Sequence, residues 1–406
     1  MLKLLQINVT ANRGSTGTIV ESIGEIAISR GWESFIAYGR SKNNSQSKTI
    51  KIGNRLGIYF HGLISRIFDK HGFGSIIATK KLITQIKKLN PNIIHLHNLH
   101  GYYLNIFLLF KFLSRSNIPV VWTFHDFWPI TGHCTHFDFS GCNKWETECN
   151  RCPQKFQYPS SFLFDNSRKN YSIKRKLFNE INNLTIITLS NWANEIISKS
   201  FLANQNRKII QNGIDLNVFS PRVINNHFIK KNNASRFLIL GVSSVWNTRK
   251  GFNDFIELSK NLDDNFLIIL VGLNRFQIDK LPSNVIGIEK TESQLELSEI
   301  YSLSDVYINL SVEETFGLTT VEALACGTPA IVYDSTSLPE LIDENTGVLV
   351  KKSNISELIR AINKVKANGK IFYSKACRKR AIKFFDKKIK YSEYFEVYNS
   401  LLKINS

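Results

Sequence analysis

The sequence has no uninterrupted apolar run near the roughly 20 residues that a membrane-spanning helix needs, although 43% of its residues are hydrophobic. No bilayer-spanning helix is therefore expected. Carboxylates are scarce: 33 Asp and Glu face 52 Lys and Arg, for a formal charge of +19. Three readings of that excess stay open: a lysine-rich solvated surface, attraction to an anionic membrane surface or lipid pyrophosphate, and nucleic-acid binding. No nucleic-acid module is recognisable and no aromatic stacking platform accompanies the basic residues, so no nucleic-acid partner is expected. No internal repeat is evident. The opening MLKLLQINVT reads as a strand and lacks a basic segment with a cleavage site, so a signal peptide is not expected and the cytoplasm is. Cysteine is infrequent, six in 406 residues, yet four of the six fall close together.

What is present is a repeated alternation of short apolar runs with helical patterns, long enough for two α/β domains. The clearest unit spans 305–333. Residues 305–310 (DVYINL) suit a buried strand, 311–317 have turn character, and 318–326 (LTTVEALAC) form a short helix closed by Gly327, with Pro329 beyond. Residues 330–333 (AIVY) read as the next strand. Such a βαβ unit sets its loop at the carboxyl edge of a parallel sheet, where open α/β sheets bind ligands. Phe316, Gly317 and Leu318 can offer backbone N–H groups to a phosphate at the start of the helix. Glu314 and Glu322 can accept hydrogen bonds from sugar and ribose hydroxyls; equally, Glu314 is a helix cap and Glu322 a solvated helix residue.

Earlier in the chain, a strand at 2–9 leads through a loop containing Gly14 and Gly17 into a helix ending at Arg30. Residues 41–47 read as a polar, mobile loop. Residues 55–70 read as an amphipathic helix with Leu56, Ile58, Tyr59, Leu63, Ile64, Ile67 and Phe68 on its apolar side and basic residues flanking it. An ordinary packing face is the favoured expectation there, and a membrane-surface contact the alternative. A strand at 93–96 runs into His97, Asn98 and His100; an apolar helix is expected over 102–113. A strand at 120–124 ends in His125-Asp126, a functional strand-end histidine or a structural one beside a carboxylate. The spacing Cys134-x7-Cys142-x6-Cys149-x2-Cys152 suits a structural zinc ion, with His133 and His136 as substitute ligands; two disulfides or free thiols remain open. Residues 222–234 are linker-like. Residues 237–242 open a second domain, and Arg249-Lys250-Gly251 sets paired cations where a helix begins, suited to a diphosphate.

The stretch SVEETFGLTTVEALACGTPAIV closely resembles the E-x7-E signature of retaining glycosyltransferases of family 4, which have the GT-B fold. The resemblance covers nearly the whole chain. It implies an α/β architecture of two Rossmann-like domains facing across a cleft. These are an acceptor-side domain over 1–205 with a Cys-rich insert at 133–153, a nucleotide-sugar domain over 206–388, and a C-terminal helix over 389–406 returning to the first. It implies a catalytic set of His125, Lys250 and Glu314. Lys250, Arg249 and the amides of Phe316, Gly317 and Leu318 would hold the donor diphosphate, Glu322 the ribose and Glu314 the sugar. Gly14 and Gly17 would face the donor diphosphate, and His97, Asn98 and His100 the acceptor. Three departures stand out: Gln211 for the usual proline in 208–215, Val242 after Gly241, and STSLPE (335–340) for Gly-Gly-x-x-E. A similar Cys-rich insert occurs in a bacterial subgroup of the family. No catalytic cofactor is implied, and any zinc would be structural. The implied reaction moves a sugar from a nucleoside-diphosphate sugar to a glycan or undecaprenyl-pyrophosphate-linked acceptor in bacterial capsule, exopolysaccharide or O-antigen assembly. It would take place in the cytoplasm or peripherally on the inner face of the membrane. A nucleotide-sugar 2-epimerase and a non-catalytic basic scaffold on membrane or RNA are the alternatives.

Overall fold

Strands buried on both faces read as near-continuous apolar runs, as the segments 237–242, 266–271 and 330–333 do. The computed structural model describes residues 1–222 and 236–404; the expected linker at 222–234 lies, from 223 onward, outside the described residues. The first sheet contains β1 (Lys3–Asn8), β2 (Glu33–Tyr38), β3 (Lys48–Lys51), β4 (Ile93–Leu96), β5 (Val120–Thr123), β6 (Leu184–Thr188) and β7 (Asn206–Ile209). Their order is β3-β2-β1-β4-β5-β6-β7, with every pair parallel. The second contains β8 (Phe237–Val242), β9 (Phe266–Val271), β10 (Val285–Ile288), β11 (Val306–Asn309), β12 (Ala330–Tyr333) and β13 (Gly347–Val350), in the order β10-β9-β8-β11-β12-β13, again all parallel. Helices join most successive strands in both, giving two Rossmann-like units.

In each sheet the strand order reverses once, between β1 and β4 and between β8 and β11. These switch points open a crevice at the carboxyl ends of the strands, because the flanking connections leave in opposite directions. The loops that sequence motifs singled out follow these strands or their neighbours.

The chain divides into Met1–Gln211 with Tyr391–Ser406, and Asn212–Lys390. The terminal helix Lys387–Ile404 thus ends in the first unit. There the Tyr398 hydroxyl meets His95 Nδ1 at 2.6 Å, and Phe395 packs edge-on against Trp32 at 5.5 Å between ring centroids. Burying three aromatic rings of one helix anchors it: Tyr394, Phe395 and Tyr398 are all buried.

Several expectations change. The polar strands β3 (KTIK) and β7 (NRKI) carry no apolar pattern, so the sequence hides them; each is an edge strand held by one neighbour. The segment 41–47 is a tied loop, because the buried Glu21 carboxylate accepts from Ser45 Oγ at 2.5 Å and Gln46 N at 2.6 Å. The helix expected over 102–113 starts only at Ile106, where Asn105 Oδ1 caps the Leu108 N–H at 3.0 Å. The helix Arg55–Phe68 reverses the favoured expectation. It buries His61 and Ser65 and leaves Leu56, Tyr59, Phe60, Leu63, Ile64 and Phe68 exposed. Leaving six such side chains outside forgoes roughly 1.5–3 kcal/mol apiece.

Candidate active site

The carboxyl edge of the second unit is built from two loops that brace each other. After β8, Asn247 accepts the Lys250 N–H at 3.1 Å and closes the 3-10 turn Thr248–Lys250. Gly251 then takes φ 75°, and a Cβ there would lie 2.4 Å from both Leu310 Cβ and Leu310 O. Glycine is therefore required on two counts, backbone sign and close approach, and the helix Phe252–Lys260 starts from it. After β11, the Val312 N–H reaches Arg249 O at 2.9 Å, and Arg249 donates to Glu313 O at 2.7 Å. Lys250 Nζ and Glu314 Oε1 form an ion pair, both half-buried.

Charge on this edge is paired and partly dehydrated. Burial pulls the Lys250 ammonium down and the Glu314 charge opposes that, leaving a net lowering. Burial pushes the Glu314 carboxyl up, but the Lys250 and Arg249 cations outweigh it, so Glu314 stays ionised. Three hydroxyls hold the carboxylate's loop in place. Thr336 Oγ1 accepts the Glu314 N–H at 3.0 Å, Ser335 Oγ donates to Val312 O at 2.7 Å, and Ser337 Oγ donates to Glu314 O and Phe316 O at 2.9 and 3.0 Å. The departure STSLPE is therefore a hydroxyl brace, a role invisible in the sequence because its partners are main-chain atoms about 20 residues earlier.

Gly317, at φ 103°, turns the chain into the helix Leu318–Ala325, whose N-terminus has no side-chain cap. Phe316 is buried and Leu318 half-buried. Glu322, in the second turn, accepts from the Tyr301 hydroxyl at 3.0 Å. Burial pushes its carboxyl up to about 7, only partly offset by that hydrogen bond. Tyr301 is a partner the sequence did not mark.

The first unit's edge is neutral and histidine-lined. Gln6, a buried polar residue inside β1, donates through Nε2 to Val20 O at 2.8 Å, which leaves Oε1 as acceptor for His97 Nε2 at 3.2 Å. His97 then carries its proton on Nε2 and accepts at Nδ1 from His125 Nε2, 3.1 Å away. This network assigns His125 the Nε2–H tautomer with Nδ1 unprotonated. Burial holds His97 well below the usual histidine range and His125 at about 4, so both are neutral near pH 7. The Asp126 carboxylate accepts from His100 Nε2 at 2.6 Å and from the Trp128 N–H at 3.0 Å. Burial raises the Asp126 carboxyl, but the His100 imidazole overcomes this and holds it at about 2. His100 Nδ1 also meets the Tyr158 hydroxyl at 3.1 Å. Asn98 is half-buried, its N–H bonded to Asn8 Oδ1 at 3.3 Å and its carbonyl accepting from Tyr103 Oη at 2.8 Å. His97 is buried between Gln6 and His125, so it supports the edge from beneath. Gly14 begins the helix Gly14–Ser29 at φ 68°, and Gly17 sits where a Cβ would lie 2.7 Å from Thr10 Oγ1. His97 and His125 were marked by their strand-end positions, whereas the buried Gln6 that links to them went unmarked.

Cys134, Cys142, Cys149 and Cys152 line one cavity of about 10 Å³, room for a single water or small ion. All six cysteines are free thiols, so no disulfide forms. The donor types suit zinc, but among the described residues no three His, Cys, Asp or Glu side chains form a group that could hold a metal ion. His133, expected as a substitute ligand, pairs through Nδ1 with the buried Asp69 at 2.5 Å and lines the same cavity as the four cysteines. The insert packs its Phe137 and Trp145 rings into the core, 4.8 Å apart, and this aromatic packing ties it to the first unit.

Among known proteins, the family model "Glycosyltransferase Family 4" matches residues 17–218, and "Glycosyl transferases group 1" matches residues 223–384. The chain is 23% identical over 373 residues to the putative colanic acid biosynthesis glycosyl transferase WcaC of Escherichia coli, covering 88% of this chain and 90% of that one. By structure it matches sucrose-phosphate synthase of Thermosynechococcus elongatus with a TM-score of 0.73 at 17% identity, over the full length of both chains. It also matches Anabaena Alr3699/HepE in complex with UDP, with a TM-score of 0.68 at 16% identity, over 98% of this chain and 100% of that one. With one model on each unit and a likeness of fold over the full chain, the chain belongs to the family 4 glycosyltransferases of the GT-B fold.

Proposed function

We propose that the chain transfers a glycosyl group from a nucleoside-diphosphate sugar to a glycan or undecaprenyl-pyrophosphate-linked acceptor, with retention at the anomeric carbon, in bacterial surface-polysaccharide assembly. The observation that carries this reading is the Lys250–Glu314 pair at the β8/β11 switch point, set beside an uncapped helix N-terminus. A diphosphate needs cations and N–H donors; a hexose needs a fixed carboxylate. Lys250 and Arg249 supply the first and the Phe316, Gly317 and Leu318 amides the second, while Glu314 supplies the third. Glu322 binds ribose hydroxyls. These protein cations do the work that a divalent ion does in other transferases, so transfer continues in EDTA.

The first unit takes the acceptor. A neutral His125 with an unprotonated Nδ1 accepts a hydrogen bond from a substrate hydroxyl and so positions the sugar at the reacting carbon. The similarity to a colanic acid transferase supports an exopolysaccharide setting, and the basic charge supports work in the cytoplasm at the inner membrane face. UDP, found in one structural relative, is the first nucleotide to try. The test is thermal unfolding with UDP-, GDP- and dTDP-sugars, since a ligand that binds only the native state raises its stability. One donor series is expected to raise the midpoint. No shift with any of them, alongside a folded protein, would reject the reading.

A further inference from the structure

We propose that the first unit docks on an anionic lipid bilayer through the outward apolar face of the helix Arg55–Phe68 together with residues 162–164. This names the surface behind the proposed lipid-linked acceptor and rests on that reading only for its purpose. Surface helices of globular proteins turn apolar residues inward; this one is inverted. Its inward side packs Ile58 on the core and otherwise does polar work: His61 Nε2 accepts from the Gly72 and Gly74 N–H groups at 3.2 and 3.1 Å, and His61 Nδ1 meets Ser75 Oγ at 3.0 Å. Leu56, Tyr59 and Phe60 are left 69%, 68% and 60% exposed.

A second apolar segment is clipped alongside. The Phe162 and Phe164 N–H groups donate to Arg66 O and Ile67 O at 2.7 and 3.1 Å, and the Phe68 and Phe164 rings stack at 5.5 Å. Phe162, Leu163 and Phe164 are 58%, 67% and 52% exposed. On the other side, a groove of about 780 Å³ separates the helix from Ile76 and Ile77, with Lys51, Lys70 and Lys81 among its lining. Six large apolar side chains of one helix and three of the adjoining segment are thus exposed side by side, and grouped exposure of this kind marks an interaction surface.

Charge selects the occupant. Residues 51–90 contain eight Lys and Arg and one carboxylate, Asp69. Asp69 is buried against His133, so that stretch shows no exposed carboxylate. Beside the second segment, Asp165 is occupied by the Cys152 N–H at 2.6 Å and the Ser167 N–H at 2.9 Å. An apolar face ringed by cations fits the boundary between phosphate headgroups and acyl chains, with Phe and Tyr rings at headgroup depth.

The test is co-sedimentation of the full chain with vesicles of phosphatidylcholine alone or mixed equally with phosphatidylglycerol. Binding to the mixed vesicles, weakened by salt, is expected. Phe60→Ser with Leu163→Ser, and separately Lys80→Glu with Lys81→Glu, should each cut it by on the order of tenfold, without changing the thermal shift given by the nucleotide. Equal binding by wild type and both variants overturns the proposal. So does failure to bind vesicles with a concentration-dependent dimer that Phe60→Ser dissolves, because the face is then an interface between copies. If vesicles bind as expected and no nucleotide does, docking stands and the transferase reading falls; the opposite pattern rejects docking alone.

Discussion

The two sheet edges solve the same topological problem with opposite electrostatics. At the β8/β11 edge, an ammonium, a guanidinium and a carboxylate are held half-buried, and their charges survive because they face one another. At the β1/β4 edge, Gln6, His97 and His125 are linked by hydrogen bonds that need no charge, and burial keeps the imidazoles neutral. The difference teaches what each edge can bind. A preorganised cation stabilises a leaving diphosphate by several kcal/mol, whereas a neutral acceptor fixes direction without attracting anions. In the proposed function, the charged edge is assigned the chemistry and the neutral edge the alignment.

The largest expected effect breaks the charged edge. Lys250→Met should cut transfer on the order of a thousandfold. It should also cost up to about 3 kcal/mol of stability, because Glu314 keeps its charge with only Arg249 left to oppose it. Adding Glu314→Gln should restore the stability while transfer stays lost; denaturant melts paired with transfer assays separate the two. If the single variant is fully active, the cations do not serve the leaving group.

A smaller effect is expected at the neutral edge. Gln6→Leu removes the acceptor that sets the His97 proton, and with it the His125 tautomer. Transfer should fall by about tenfold to a hundredfold with nucleotide affinity unchanged. Nitrogen NMR of the imidazoles should show the Nε2–H form of His125 in the wild type and a mixture in the variant. Wild-type spectra in the variant would remove Gln6 from the relay.

Glu322 sharpens the comparison through pH. Its carboxyl stands at about 7 against an ordinary 4.5, so in that window the native state binds more protons than the unfolded state. Stability must therefore fall as pH rises between those values, by roughly 1–3 kcal/mol. The ionised form is the better ribose acceptor, so donor affinity should improve by up to about tenfold from pH 6 to pH 8. Glu322→Gln should flatten both trends. The smallest expected effect is none: transfer measured in EDTA should match the untreated enzyme, and loss restored by a divalent ion would show that Lys250 and Arg249 do not suffice.

Much of this was legible in residue order. The apolar strands β8, β9, β12 and β13 coincide with runs visible by eye, and Gly251 and Gly317 mark the starts of the two helices that face the charged edge. The edge strands β3 and β7 were not legible, because one-sided pairing tolerates polar sequences. The inward side of the helix Arg55–Phe68 was not legible either. Its apolar pattern is genuine, but only the hydrogen bonds of His61 reveal which side is inside. The Cys spacing correctly gathered four thiols at one cavity, but spacing cannot say whether their sulfurs converge on an ion. Hydroxyl braces such as Ser337 bind main-chain atoms and leave no pattern at all.

The most direct measurement is calorimetric titration of UDP into the wild type, Lys250→Met and Gln6→Leu. Binding should weaken by at least about tenfold in Lys250→Met and be unchanged in Gln6→Leu. Equal affinity in wild type and Lys250→Met, or a loss confined to Gln6→Leu, would contradict the assignment of the diphosphate to the charged edge.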